Sequence, residues 1–165
     1  MSSKKQAGGS HAGNPGSRVV CRNRRALHNY EILDQVECGI QLVGSEVKSI
    51  RDSHINIEEA FARIEKGEVW LFNVDISEYA QASYLNHERR RTRKLLLKKR
   101  EVARIIEKAE QKGNTLIPLE VYFSERGFVK VTLAVARGKK EYDKRQKILK
   151  HEDQRAVREA LKRRP

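Results

Sequence analysis

The segment from Arg89 to Lys94 concentrates positive charge, since five of its six residues are Arg or Lys. Guanidinium groups bind phosphate oxygens in pairs, and a lysine adds a point charge. The three leucines that follow, residues 95–97, are expected to anchor the segment in a core. The pattern predicts an RNA clamp with contacts from Arg91, Arg93 and Lys94; a nuclear address or a solvated loop is the alternative interpretation.

A second basic cluster begins at Gly138. An aromatic ring among cations can stack on a base while its neighbours hold phosphates. A frayed basic tail is the alternative. The candidate contacts in this cluster are Lys139, Lys140, Tyr142, Asp143, Lys144 and Arg145.

Asp34, Glu46 and Lys48 follow the D…E-x-K order found in metal-dependent nucleases. That chemistry needs two carboxylates and a lysine converging on Mg²⁺ at the end of a strand. Here the pattern is short and its E-V-K part falls in a predicted helix, so catalysis is not favoured. The five histidines are scattered, and Cys21 and Cys38 lack zinc-ligand spacing. We therefore expect no enzyme activity, no metal and no cofactor.

Charge is distributed unevenly along the 165 residues. Residues 89–112 carry a net charge of +8 and residues 137–165 a net +7, so the rest of the chain is close to neutral within the total of +13. Two clusters of one sign on a nearly neutral body indicate contacts with a polyanion. Helices that merely keep the protein soluble are the alternative.

The composition of the N-terminal residues and the lack of long apolar runs indicate where in the cell the protein is expected. Residues 1–21 are rich in Gly, Ser, Lys and His, which predicts a disordered leader. No apolar run has the length of a signal-peptide core or a bilayer span. We expect a soluble, monomeric, cytoplasmic protein with reduced thiols and no membrane partner.

Alternating apolar residues predict the strands. Tyr30–Val43 reads as a long strand with a bulge or sharp bend at Gly39, and residues 59–66 and 68–74 read as two more. A hairpin is predicted from Ile117 to Val135 across the turn at 124–127, with Pro118 at an edge or bulge.

Helical spacing is strongest from Lys98 to Lys112, and a shorter helix begins at Gly44. The fold class is therefore mainly β with short helices (α+β). We predict a small oligonucleotide-binding-type β-barrel over residues 22–137. Residues 138–165 are predicted to be a disordered basic C-terminal tail that becomes helical on RNA.

Several stretches together resemble one family. The matching stretches run in order along the chain and are residues 23–26 (NRRA) with Tyr30, 44–51 (GSEVKSIR), 93–97 (RKLLL), 113–119 (GNTLIPL), 138–140 (GKK) and 142–145 (YDKR). They are similar to the small protein B family, the bacterial partners of transfer-messenger RNA in trans-translation. Lys98 stands where that family usually has Asn, and Cys38 where Ala is usual.

The resemblance implies an adaptor of ribosome rescue. It would bind the tRNA-like domain of transfer-messenger RNA, help its alanylation and deliver it to ribosomes stalled without a usable stop codon. Its tail, helical on the ribosome, would probe the empty mRNA channel at the small-subunit decoding centre. Matched by position, the implied RNA-binding residues are Asn23, Glu37, Leu96 and Lys130.

Other classes remain open on the sequence alone. A structural ribosomal protein would also combine a small barrel with basic extensions. A DNA-binding architectural protein would share the charge, although a barrel with a tail favours RNA.

Overall fold

The computed structural model describes residues 16–82 and 84–140, together with five exposed helical positions of the tail, namely Glu152, Gln154, Arg155, Arg158 and Glu159. The strands are β1 Arg18–Arg22, β2 Tyr30–Ile40, β3 Ile55–Asn56, β4 Phe61–Glu65, β5 Glu68–Phe72, β6 Asp75–Ile76, β7 Arg93–Leu96, β8 Asn114–Phe123 and β9 Val129–Gly138. The helices within residues 16–140 are α1 Arg24–Asn29, α2 Gly44–Arg51 and α3 Lys99–Ala109.

Backbone hydrogen bonds close most of the strands into a ring. The order is β8–β4–β5–β7–β2–β9, and β9 pairs back to β8. Strand β1 pairs with the far end of β8, while β3 and β6 form a separate two-stranded sheet. This antiparallel ring with short helices confirms the predicted mainly β class.

The core lies inside the ring and follows the alternation along the strands. Val131, Leu133 and Val135 of β9 point inwards with Cys38 of β2, and all four are buried. A smaller cluster forms where α1 covers the sheet, and it contains Ala26, Ile117, Leu119, Ala134 and Ala136. The two alanines of β9 let α1 pack closely against the strands there.

The predicted hairpin is confirmed. Strands β8 and β9 pair from Asn114 to Phe123, and Gly127 has the left-handed φ of 80° that a tight turn favours in glycine. The register shifts between Pro118 and Glu120, so Pro118 lies beside a bulge as predicted. Proline has no N–H to donate, which explains its place at this irregularity.

Two boundaries differ from the prediction. The leader was extended too far, because β1 pairs with β8 from Arg18 to Arg22. The apolar residues of β1, Val19–Cys21, form a run that is too short to show the alternation typical of a strand. The register of β2 against β9 shifts around Leu33 and not at Gly39, so Gly39 is not a bulge in this pairing.

Helix α3 packs against β8 and β9 and is also joined to β2 by ion pairs. Ile105 is buried, and Asp34 of β2 accepts from Lys108 Nζ at 2.8 Å and lies 3.1 Å from Arg104 Nε. Glu101 accepts from the Lys98 amide at 2.8 Å, which helps begin the helix. Two cations of α3, Arg104 and Lys108, therefore help to fix the helix to the sheet.

Candidate nucleic-acid interface

Arg91 and Arg93 converge on the carboxylate of Glu46 in α2. Arg91 donates to it from Nε at 2.8 Å and from Nη2 at 2.6 Å, and Arg93 donates from Nε at 2.8 Å. The Val43 amide adds a fourth bond at 2.9 Å. Arg91, Arg93 and Glu46 are called the arginine cluster below.

The arginine cluster faces the interior. The side chains of Arg93 and Glu46 are 0% exposed, while that of Arg91 is 30% exposed. Arg93 also donates to the carbonyl oxygens of Val74 and Arg89, at 2.9 and 3.0 Å. These bonds satisfy the buried guanidinium and fasten the segment before β7 to the body.

Of the three residues predicted to form the RNA clamp, Arg93 has no exposed side-chain surface to offer a phosphate in this structure. The remaining cations of the segment are each placed beside a carboxylate. Arg89 pairs with Asp75 at 2.9 Å, and Lys94 pairs with Glu68. Each of these charges is largely balanced within the protein, so the net +8 of residues 89–112 overstates the free charge at this position.

The carboxylates of the nuclease alternative are engaged elsewhere. Burial disfavours the charged form of Glu46, but the hydrogen bond from Arg91 and the charge of Arg93 outweigh it and hold the pKa of Glu46 below its usual value. Asp34 is bound to α3 through Lys108. The Lys48 ammonium lies 5.5 Å from the ring centre of Tyr79. The three groups have separate partners, so these residues do not form the nuclease site of the alternative interpretation.

A different surface brings together most of the residues implied by the family resemblance. Leu96 of β7 lies opposite Gly39 of β2, and Gly39 lies opposite Lys130 of β9. Lys130 lies opposite Tyr122 of β8, which lies opposite Val19 of β1. Side chains in register across a sheet share one face. These five residues form a lateral row across five strands, on the outside of the ring.

Glu37 lies two residues from Gly39 and therefore on the same outer face. Its carboxylate accepts a hydrogen bond from the Tyr122 hydroxyl and lies 3.8 Å from Lys130 Nζ. Partial burial, reinforced by the bond to Glu37, raises the pKa of Tyr122. The phenol therefore remains a donor at neutral pH and holds the carboxylate beside the lysine.

Gly39 leaves room for the close approach of Leu96. A Cβ built on Gly39 would lie 3.2 Å from the Leu96 Cβ, which is tighter than ordinary van der Waals contact. The glycine lets β7 and β2 meet closely while Leu96 stays 51% exposed. A large apolar side chain is thus presented to solvent beside a lysine, an arrangement suited to a ribose or a base.

Asn23 does not belong to this exposed surface. It is 2% exposed, and its Oδ1 accepts from the Ala26 amide at 2.9 Å as the N-cap of α1. Its Nδ2 donates to the carbonyl oxygens of Ile57 and Pro118, at 3.0 and 3.2 Å. The amide implied as an RNA contact is instead bound inside the protein, where it positions α1.

The start of the tail is attached to α1. Lys139 Nζ donates to the Leu27 and His28 carbonyl oxygens, at 2.8 and 3.0 Å, and its amide donates to the Asn29 carbonyl at 2.9 Å. A lysine at a helix C-terminus satisfies unpaired carbonyls and favours the helix dipole. Lys140 is exposed. The other predicted tail contacts, Tyr142, Asp143, Lys144 and Arg145, lie outside the described residues.

Tyr122 was not predicted from the sequence as a site residue. Its side chain lies on the outer face of β8, a strand of mostly apolar residues, and the residues next to it in the sequence do not indicate a hydrogen-bond partner. Only the register of β8 on β9 and of β9 on β2 brings it to Glu37, which is 85 residues away in the chain.

Within residues 16–140 no helix is both long and apolar enough to cross a bilayer. The same described part of the chain holds no group of three or more His, Cys, Asp or Glu side chains placed to bind a metal ion.

Comparisons with known proteins agree with one another. The family described as SmpB protein matches residues 20–163. An SsrA-binding protein of Nostoc punctiforme is 49% identical over 150 residues, covering 90% of this chain and 96% of the relative. One of Bartonella henselae is 52% identical over 132 residues, covering 80% of this chain and 84% of the relative.

A solved structure described as "tmRNA-SmpB: a journey to the center of the bacterial ribosome" also matches. The two chains superpose with a TM-score of 0.64 at 52% identity. The match covers 75% of this chain and 86% of the other.

Proposed function

The chain belongs to the SmpB protein family, and we propose that it is an RNA-binding adaptor of trans-translation in the bacterial cytoplasm. It binds the tRNA-like domain of transfer-messenger RNA and delivers this RNA to ribosomes that have stalled without a usable stop codon. It acts by binding rather than by catalysis. The engagement of Asp34 and Glu46 in structural ion pairs supports that last point.

The observation that carries the proposal is the lateral row with Glu37 beside it. Three of the four residues implied by the family resemblance, distant in sequence, come together on one exposed face: Glu37, Leu96 and Lys130. Lys130 supplies a cation for a phosphate, and Leu96 supplies an apolar contact for a sugar or base. Glu37, held by Tyr122, orients Lys130, and it also accepts from a base amino group.

The tail supports a second contact in the same function. Lys139 fixes the point at which the tail leaves the body, beside the C-terminus of α1. Beyond it the sequence continues with cations and Tyr142, a composition suited to ribosomal RNA. We therefore assign Lys140, Tyr142, Asp143, Lys144 and Arg145 to the ribosomal decoding centre and mRNA channel.

Binding to the tRNA-like domain and to an unrelated stem-loop of equal length tests the proposal. Measured at about 0.15 M salt, where nonspecific phosphate attraction is weakened, the protein should strongly prefer the tRNA-like domain. Equal, weak binding to both RNAs would contradict the proposal. A protein that copurified with ribosomes through high-salt washing would instead fit a structural ribosomal component.

A further inference from the structure

An open groove separates α3 from β7 and the start of β5. Its volume is about 480 Å³, which is within the range of small-ligand pockets. The floor contains Val69 and Leu95, which are both buried. The walls are formed on one side by Leu96 and Leu97 and on the other by Val102, Ala103 and Ile106.

The walls of the groove are aliphatic, and its rim is charged. Lys94 and Glu68 stand on one side of the rim and pair with each other. Lys99 stands on the other side, is exposed, and has no ion pair within residues 16–140. Because the Lys94–Glu68 pair is neutral, Lys99 leaves the rim with a net positive charge.

The groove is continuous with the lateral row, because Leu96 belongs to both. An RNA that contacts Lys130 and Leu96 would therefore reach the mouth of the groove without a further turn of its backbone. A ligand that fits both parts of the groove has a flat apolar group, which enters between β7 and α3, and a negative group, which lies near Lys99. A nucleotide has both parts, since its base is flat and its phosphate is negative.

We propose that this groove binds one unpaired nucleobase of the RNA partner, with Lys99 beside its phosphate. The inference rests on the proposed function and adds a base-binding site to it. RNA loops are recognised through bases that are splayed out of the stack, and such a base gains apolar contact with little loss of pairing. The basic tail of this chain fits the groove less well, because its cations would be repelled by the net positive charge that Lys99 gives the rim.

Ala103 offers the sharpest test, because it is exposed on α3 and lines the groove. Ala103→Trp fills the groove without changing charge. Ala80→Trp is the matched control, since Ala80 is also exposed but lies in the segment after β6, away from the groove. Thermal unfolding verifies the fold of both variants, and Ala103→Leu replaces the tryptophan variant if that one melts early.

Binding of the full-length proteins is then measured to the tRNA-like domain and to a set of RNAs, each with one unpaired nucleotide made abasic. One abasic position should weaken binding to the wild type by about tenfold, the size of a single base contact. Ala103→Trp should show a similar loss with the intact RNA and no further loss at that position, since both changes remove the same contact. Ala80→Trp should bind as the wild type does.

Two results would overturn the inference while leaving the proposed function in place. One is a wild-type preference for the tRNA-like domain that Ala103→Trp does not weaken. The other is hydrogen exchange in the free protein that rises across residues 141–165 in Ala103→Trp, because the tail would then occupy the groove. A wild type with no preference for the tRNA-like domain would instead remove the proposed function, and the groove assignment with it.

Discussion

The arginine cluster and the lateral row use similar residues for opposite purposes. In the cluster, Arg91 and Arg93 turn inwards onto Glu46, and their positive charge is balanced before it can reach a ligand. In the row, Lys130 stands on an exposed face with Glu37 at 3.8 Å, a separation that leaves its ammonium free to turn to a phosphate. The dense run of cations in the sequence is therefore largely held in ion pairs within the protein. Lys130, which has Glu37 as its neighbour at 3.8 Å, belongs to the proposed binding surface.

The largest expected effect follows from removing Arg93. Arg93→Met leaves the buried carboxylate of Glu46 without one of its two arginines, which should lower the free energy of unfolding by about 3–5 kcal/mol. Chemical denaturation measures this loss. Arg100→Ala, an exposed arginine on α3, is the control and should change stability by no more than about 0.5 kcal/mol. If both variants lowered the free energy of unfolding by a similar, small amount, the arginine cluster would not have the structural role assigned to it.

Acid should weaken the same cluster. Because the folded-state pKa of Glu46 lies below the ordinary value of 4.5, its contribution to stability is complete above that value. The contribution is lost as pH falls through the lower folded-state pKa. Denaturation at a series of acid pH values should show stability falling in this window, and Glu46→Gln should flatten that part of the curve. An unchanged slope would contradict the assignment.

A smaller effect, on binding rather than stability, is expected at Lys130. Lys130→Ala should weaken binding to the tRNA-like domain roughly tenfold, as the loss of a charged hydrogen bond does. The slope of log affinity against log salt should also fall by about one, because one phosphate contact is lost. Lys112→Ala removes an exposed lysine in the turn between α3 and β8 and serves as the control. Equal losses in both variants would mean that general charge, rather than the row, binds the RNA.

The smallest effect concerns Tyr122, which positions Glu37. Tyr122→Phe removes a hydrogen bond to the Glu37 carboxylate but no direct RNA contact, so it should weaken RNA binding only about threefold, with the salt slope unchanged. Combined with Glu37→Gln, the two losses should be less than additive, because both changes break the same contact. If the two losses of RNA-binding free energy were fully additive, Tyr122 and Glu37 would act independently, and Tyr122 would not position Glu37.

The sequence predicted what local periodicity determines. The hairpin of β8 and β9, the α3 helix and the short α2 helix follow directly from apolar spacing, turn residues and helix caps. The bulge beside Pro118 also follows, since proline cannot donate to a ladder. These features depend on neighbours within about ten residues.

Partners that are distant in the sequence could not be predicted in this way. Arg93 is buried because Glu46, 47 residues earlier, meets it across the ring. The sequence pattern of a run of arginines is the same whether their side chains are exposed to solvent or paired with a buried carboxylate. The resemblance to a family identified Glu37, Leu96 and Lys130, but only the strand register shows that they share a face and that Asn23 does not.

The central claim is that the lateral row, rather than the basic segment before β7, binds the RNA. It is tested most directly by comparing two double variants in binding to the tRNA-like domain at about 0.15 M salt. Leu96→Ser with Lys130→Ala should abolish most of the preference for this RNA while the protein stays folded. Arg89→Ala with Arg90→Ala, which removes two exposed arginines of the basic segment, should retain it. The reverse result, with the arginine variant losing the preference and the row variant keeping it, would contradict the account.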